Sequence, residues 1–406
     1  MPITFPGASR MTVSLTPVTG RRELRQFILL PEQLHRDHAL WMPPIYMDEW
    51  EYFNVKKNRA FGYCDTTMTL AWKGGRLVGR IMGIINRRHN DHVQERTGRF
   101  ALLEATEDRE VVHALLAHVE DWARAKGMTK VIGPFGFNDQ DPEGFQIEGF
   151  EHHPTIVTYY NFPYLIRQLE AEGYGKETDY VVYKIPRASA VPELMTKVAE
   201  RVERRGFREV GLTSKRQVKR YLGPVLRLMN ESYQGIYGYS PLDEQEMKDL
   251  AKKYMMLLDV RFLKIVVKET DAKDGAAKDG AAKDDVGRGG VGSDGEVVGF
   301  MVAMPDLYEG IVKSKGRLFP FGFIHIMRAG RRARQLDLLL AGIAEKYRGK
   351  GIDMLLGREM LKSAIAAGIE HFDSHHELET NSLVRAEMER QGGQIYKRYR
   401  IFRKPL

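Results

Sequence analysis

Arg348, Gly349, Lys350, Gly351, Ile352 and Asp353 lie between an apolar run, Leu336 to Ala344, and a helical pattern carried by Ile352, Leu355, Leu356, Met360 and Leu361. Two glycines in an otherwise helix-friendly stretch cost helix stability. What they offer in return is bare backbone, whose N–H groups can approach a ligand closely. A helix start adds unpaired donors and a partial positive charge, and Arg348 and Lys350 add two full ones. Together these make a cradle suited to a diphosphate. The same spacing also fits an ordinary basic turn between a strand and a helix, and a short glycine motif does not decide between them.

The elements that must position this turn read as mixed α/β. Ahead of it, RFLKIVV (261–267) and EVVGFMVAM (296–304) form a hairpin; then follow a strand over 336–344, a helix over 351–367, a strand over 369–377, a helix over 381–391 and a strand over 394–402. The segment joining the hairpin strands, 270–295, repeats AKDGA and holds nothing apolar larger than valine. It is expected as a disordered loop, of a length that closure entropy tolerates. The first half repeats the order: a hairpin of MTLAW (68–72) and RLVGRIMGIIN (76–86), a strand at 99–105, a helix over 109–126, a strand at 128–133, a helix near 159–172 and a strand near 180–184. The expected division is a disordered tail at 1–10, one domain over 11–187 and a second over 188–406, with the boundary near Pro186–Pro192.

Length and composition agree with this. A chain of 406 residues, 43% of them hydrophobic, suffices for two or three domains with full cores. No apolar run is long enough to span a bilayer, and the opening MPITFPGASRM has no apolar signal-peptide core. Cys64 is the only cysteine, so an internal disulfide and a cysteine-based zinc site are excluded; the reducing cytoplasm is the expected compartment. His35/His38, His89/His92 and His152/His153 lack the carboxylate or cysteine spacing of a metal site. His375 and His376 would face opposite sides of a strand, so no metal is expected. The net charge is +8, and residues 310–336 carry seven basic side chains (Lys313, Lys315, Arg317, Arg328, Arg331, Arg332, Arg334) with no Asp or Glu. A local patch of that kind points to an anionic partner.

The stretch LLLAGIAEKYRGKGIDMLL resembles the GNAT (Gcn5-related) acyl-CoA N-acyltransferase superfamily, whose pattern is a strand followed by [RQ]-G-x-G-x-[GA] at a helix start. The later run ELETNSLVRAEMERQGGQIYKRYRIF is similar to the family's Asn-headed helix and last strand. The resemblance is specific over roughly 296–402 and rests on element order over 11–186. GPFGFNDQD and GRLFPFGFIHIMRA are similar to phrases of bacterial tandem GNAT-like proteins. The resemblance implies two tandem GNAT-like domains of mixed α/β sheet, with acyl-CoA, acetyl or longer, as substrate. Its diphosphate would lie on the amides of Arg348 to Asp353 (Arg348, Gly349, Lys350, Gly351, Ile352, Asp353), its pantetheine would pair with backbone near Ile343 and Ala344, and Asn381 would belong to the same site. An amine attacks the thioester, a base takes its proton, and an acid serves the leaving thiolate. Asp337, Glu377 and His376 are the candidate bases. Asp337 begins the cradle strand, and its plainer reading is a surface Asp at a strand end; Glu377 and Glu379 end the next strand, where polar edge residues are ordinary. The sequence departs from the pattern twice: Asp353 stands where the last motif glycine or alanine falls, and Met388 where an acidic tyrosine often stands. Tyr396 or Tyr399 would then replace that acid, or the thiolate would leave unaided.

The first half has no cradle. ALLEATEDREVVHALL at the matching position lacks glycine, and Glu104, Glu107 and Asp108 would repel a diphosphate. It is expected as a degenerate copy that shapes an acceptor cleft, with the loop 133–154 supplying acids such as Asp139, Asp141, Glu143 and Glu148; the plainer reading of that loop is an ordinary long inter-strand connection. KSKGRLFPFGFIHIMRAGRRAR (313–334) mixes aromatics with an arginine cluster. It reads as an element for an anionic membrane surface, as a core-packing hairpin with a basic tail, or, less in keeping with the rest of the chain, as a nucleic-acid contact. The functional expectation is acyl transfer to an amine, including a lipid amine such as a sphingoid base, in the cytoplasm or at the inner membrane face. The competing expectation is a non-catalytic GNAT-like binding or regulatory protein, and no nucleic-acid partner is expected.

Overall fold

The computed structural model describes residues 12–269 and 295–406. The expected tail and almost all of the expected 270–295 loop lie outside the described residues. In chain order the first half holds β1 (Ser14–Pro17), α1 (Arg21–Leu34), α2 (Tyr46–Tyr52), α3 (Ala60–Tyr63), β2 (Cys64–Lys73), β3 (Arg76–Asn86), α4 (Arg87–Val93), β4 (Thr97–Ala105), α5 (Arg109–Ala125), β5 (Lys130–Gly133), β6 (Phe145–Glu148), α6 (Pro163–Ala171) and β7 (Gly175–Pro186). The second holds α7 (Glu193–Glu203), β8 (Phe207–Glu209), α8 (Lys215–Ser232), α9 (Glu244–Leu257), β9 (Leu263–Lys268), β10 (Glu296–Pro305), α10 (Tyr308–Ser314), α11 (Gly322–Arg332), β11 (Gln335–Ile343), α12 (Ile352–Ala366), β12 (His371–Asp373), β13 (Glu377–Leu378), α13 (Ser382–Arg390) and β14 (Gln394–Pro405).

The chain forms two compact units. The first comprises 1–180, 311–322 and 397–406; the second comprises 181–310 and 323–396. They therefore do not follow the halves 11–187 and 188–406 residue for residue. In the first unit β1, β2, β3 and β4 pair antiparallel in succession, β4 pairs parallel with β5, and β5 pairs antiparallel with the end of β14, Phe402 opposite Gly133. In the second, β8, β9, β10 and β11 pair antiparallel, β11 pairs parallel with β12, and β12 pairs antiparallel with the end of β7, His371 opposite Pro186. Each unit thus takes its sixth strand from the other half of the sequence. A strand pattern states that a segment will pair but not with what, which is why the exchange is invisible in periodicity.

The cores follow from helical and strand periodicity. α5 buries Val111, Val112, Leu115, Leu116, Val119 and Ala123, and Asp108 caps it by accepting from the Glu110 amide at 3.0 Å. α12 buries Ile352, Leu355, Leu356, Met360, Leu361 and Ala364, and a core cluster joins its first turns to Ala199 and Val202 of α7, Val266 of β9 and Val298 of β10. Burying side chains of this size stabilises by about 1.5–3 kcal/mol each. Two expectations change. The strand expected over 369–377 ends at Asp373, because His375 adopts φ 60° and turns the backbone before β13. The hairpin reading of 313–334 gives way to helix: α10 ends at Ser314 and α11 starts at Gly322, with Gly316 and Pro320 in the joint.

Candidate functional site

In the second unit β11 and β12 pair over only three positions, Gln335 with His371, Leu336 with Phe372 and Asp337 with Asp373. β12 then stops, while β11 runs on against β10 to Ile343. The two strands form a fork, and beyond Asp337 one edge of β11 has no partner strand among the described residues. A register shift between Val302 and Ala303 of β10, across from Leu338 and Leu340, marks a bulge in the same stretch.

Side chains satisfy that open edge. The Ala341 amide donates to the Tyr233 hydroxyl at 3.2 Å, and the same hydroxyl lies 3.2 Å from the Ala341 carbonyl. Both groups of one strand residue point the same way, so Ala341 faces away from β10. Two residues on, the Ile343 carbonyl accepts from Arg348 Nε at 3.2 Å. The Ala344 amide turns back and donates to Val298 at 2.9 Å. Of the two residues expected to pair with a pantetheine chain, Ile343 thus offers its carbonyl to the outer edge and Ala344 commits its amide to the hairpin.

The chain leaves β11 through one short turn, Glu345–Tyr347, and reaches the glycines. Gly349 has φ 71° with open space where a Cβ would stand. Gly351 has φ 89° and caps α12, and a Cβ there would meet Val198 and Val202 at 2.9 and 3.0 Å. Both φ values lie in the left-handed region that disfavours a side chain. Gly351 brings no side-chain cap, so the first amides of α12 keep their donors for something else. Arg348, Lys350 and Asp353 are exposed; Ile352 is fully buried and has only backbone to give. The Asp353 carboxylate sits in the helix's first turn, where the dipole favours it. Beneath the turn the Tyr347 ring packs on Phe207 at 5.4 Å, with Lys346 and Lys350 5.0 and 5.1 Å from its centre.

At the fork the structure brings Asp337 and Tyr396 into one polar cluster and adds residues that periodicity does not mark. Asp337 is no surface residue: it is 1% exposed and accepts from Gln335 Nε2 at 2.7 Å. Its partner in register, Asp373, is equally buried, accepts from the Tyr396 hydroxyl, and accepts from the His375 amide at 2.7 Å. Gln335 in turn lies 3.0 Å from His371 Nε2. The only hint of Asp373 in the sequence is a polar residue at the end of a short strand. Tyr399, the other candidate acid, is fully buried and belongs to the first unit. His375 and His376 stack on each other, ring centres 4.8 Å apart, instead of facing opposite sides. Glu377 follows on β13, and burial alone pushes its carboxyl up to about 8. Asn381 caps α13, accepting from the Val384 amide at 3.4 Å. Among the described residues no group of His, Cys, Asp and Glu has the makings of a metal site.

The chain has the tandem GNAT fold. A tandem GNAT protein from the clavulanic acid biosynthesis pathway superposes with a TM-score of 0.54 over 97% of this chain and 98% of that one, at 13% identity. The GCN5-related glucosamine N-acetyltransferase region of a fungal multi-domain β-N-acetylglucosaminidase superposes at 0.52 over 100% of this chain and 39% of that one, at 10% identity. In sequence the chain is similar to a bacterial ceramide synthase of Caulobacter vibrioides, 26% identical over 97% of this chain and 98% of the relative. It is also similar to Protein YghO of Escherichia coli, 26% identical over 95% and 94%. No family model matches the chain.

Proposed function

We propose that this tandem GNAT-fold chain is an N-acyltransferase that moves an acyl group from coenzyme A to an amine, and that the second unit carries the reaction. The observation that carries the reading is the fork, open along one edge of β11 and ending on uncapped helix amides flanked by Arg348 and Lys350. Such amides suit a diphosphate, and an open strand edge suits the amides of a pantetheine arm. The amine nitrogen attacks the thioester carbonyl, the carbon–sulfur bond breaks, and an amide forms. Glu377, pushed up to about 8 by burial, keeps its proton at neutral pH and becomes able to accept the ammonium proton as pH rises toward and past that value, and Asp337 is the second candidate. The Tyr396 hydroxyl, which donates to Asp373, is the candidate acid for the thiolate. The similarity to a bacterial ceramide synthase over nearly the full length supports a long-chain amino alcohol as acceptor and a fatty acyl-CoA as donor. Calorimetric titration with acetyl-CoA, palmitoyl-CoA and free CoA tests this. Binding that Arg348→Ala weakens supports the cradle, and the preferred acyl length separates a small acceptor from a lipid one. Failure of all three to bind refutes the reading and leaves a non-catalytic GNAT-like protein.

The chain approaching and forming α11 supports peripheral contact with an anionic membrane, on the cytoplasmic side. Phe319, Phe321, Phe323, Ile324 and Met327 are 46–75% exposed, five of the large apolar side chains most open to solvent. α11 buries Ile326 and turns Phe323, Ile324, Met327, Arg328 and Arg331 outward. Arg328, Arg331 and Arg332 form no ion pair among the described residues. Aromatic insertion with arginines at the headgroups is how interfacial helices bind, each cation near an anionic surface being worth about 1 kcal/mol. Flotation with phosphatidylglycerol vesicles, but not phosphatidylcholine vesicles, is the expected result, lost in Arg328→Glu/Arg331→Glu. Equal flotation with both lipids, or arginine-dependent capture of RNA without flotation, refutes it.

A further inference from the structure

In the first unit α1 and α2 leave a groove between them, about 340 Å³ in volume. α1 gives it one stripe, Arg21, Arg25 and Leu29 at helical spacing, and α2 gives another, Tyr46 and Trp50. Arg317 completes the lining, its guanidinium 5.0 Å from the centre of the Tyr46 ring. Backbone ties the segment that carries Arg317 to α2, because the Tyr46 amide donates to the Gly316 carbonyl at 3.0 Å.

Three guanidiniums line this groove and no described Asp or Glu does. Glu32, which touches two of the lining residues, is already matched: it accepts from both terminal nitrogens of Arg317 at 3.2 and 2.9 Å, and from the Tyr46 hydroxyl at 3.2 Å. Glu23 reaches back over Gly20 at the start of α1. Arg21 and Arg25 are exposed and form no ion pair among the described residues. The groove therefore keeps two uncommitted guanidiniums one helical turn apart, beside an indole and a phenol ring. Guanidinium forks match the oxygens of a phosphate, and Trp and Tyr suit a place where one end is apolar and the other wet. Two and four residues after Arg317, in the same unit, stand Phe319 and Phe321, which are 75% and 68% exposed.

We propose that this groove binds the phosphate of an anionic phospholipid headgroup, Arg21 and Arg25 taking its oxygens while Phe319 and Phe321 enter the apolar layer. The inference deepens the membrane reading above and rests on it for the lipid, but it places the headgroup on different residues: the whole groove belongs to the first unit, whereas Arg328 and Arg331 belong to the second. A free phosphate ester shares the headgroup's chemistry and lacks only the acyl chains.

Trp50 reports on the groove from within its lining. Titrating the full chain with dihexanoyl-phosphatidylglycerol, kept below its micelle concentration, and following tryptophan emission beside calorimetry, tests the site without a membrane. Saturable binding is expected. Dihexanoyl-phosphatidylcholine, whose ammonium cancels the phosphate charge, and glycerol phosphate, which has no acyl chains, should each bind at least tenfold more weakly. Arg21→Gln/Arg25→Gln alters two exposed positions and should weaken binding at least tenfold, whereas Arg328→Glu/Arg331→Glu should leave it within about threefold. Phosphatidylcholine binding as tightly as phosphatidylglycerol, or unchanged affinity in Arg21→Gln/Arg25→Gln, overturns the site. Glycerol phosphate binding as tightly as the lipid overturns the lipid and assigns the groove to free phosphate esters. The two readings fail separately. Flotation on phosphatidylglycerol vesicles with no binding of the dispersed lipid strikes out the groove and leaves the membrane contact. Binding of the dispersed lipid without flotation upholds the groove and ends the membrane contact.

Discussion

Glu377 offers a perturbation that reads stability and chemistry at once. Burial alone moves its carboxyl from the ordinary value of 4.5 to about 8. Below 4.5 the group is protonated in both folded and unfolded chains, and the neutral form that burial favours is fully present. As pH rises from there to about 8 the unfolded chain releases the proton and the folded chain keeps it, so stability falls across this window. Linkage sets the ceiling at about 4–5 kcal/mol; the side chain is only half-buried, and solvent screening brings the expectation nearer about 2 kcal/mol. Glu377→Gln keeps the shape and removes the titration. In chemical denaturation the variant should match the parent near pH 4.5 and exceed it by about 2 kcal/mol at pH 9. If Glu377 is also the base, kcat/KM of the parent should rise with pH to a plateau above about 8, and the variant should lose about 10²–10⁴-fold together with that limb. A variant equally destabilised at every pH refutes the burial argument. A rate profile unchanged in the variant refutes the role as base and moves it to Asp337.

The glycines of the turn should separate strain from packing. Gly351→Ala meets both a left-handed φ and two valines at about 3 Å, so about 2–4 kcal/mol should be lost, whereas Gly349→Ala meets open space and should lose about 1–2 kcal/mol; equal losses by denaturant midpoint would refute the contact with α7. Tyr233→Phe removes the hydroxyl that occupies both backbone groups of Ala341, and acyl-CoA should bind about fivefold to tenfold tighter by calorimetry, on the scale of about one hydrogen bond; weaker binding would mean Tyr233 holds the ligand instead of competing with it. Tyr396→Phe should lower kcat about tenfold or more with KM nearly unchanged if its proton serves the thiolate; an unchanged kcat would mean the thiolate departs unaided.

What the sequence disclosed about this fold is what local periodicity controls. The hairpins, α5, α12 and the glycine turn all follow from alternation, helical spacing and backbone freedom within a few residues of each other. The remainder depends on partners far along the chain. Tyr233 meets Ala341 across 108 residues, and the sixth strand of each unit comes from the opposite half. Asp373 takes its meaning only from its place beside Asp337 in a parallel ladder. The histidine pair departs from strand alternation through one backbone angle, the positive φ of His375, which ends a strand that polarity alone would continue. Exposure is likewise a tertiary property: the same aromatic run suits a hairpin core or a surface, and only the outward placement of Phe321 and Phe323 decides.

The two helices that follow the forks show why similar units can diverge in chemistry. At the head of α5, Asp108 uses its own carboxylate to cap the Glu110 amide and holds Lys73 at 2.6 Å. The positive end of that helix is neutralised from within, and a diphosphate would meet a carboxylate already in its place. At the head of α12 the capping residue is Gly351, which has no side chain to offer, and the neighbouring charges are Arg348 and Lys350. The amides are left for an external anion. Under the proposed function, one residue type at one cap is thus what would let the second unit, and not the first, take the diphosphate end of a donor.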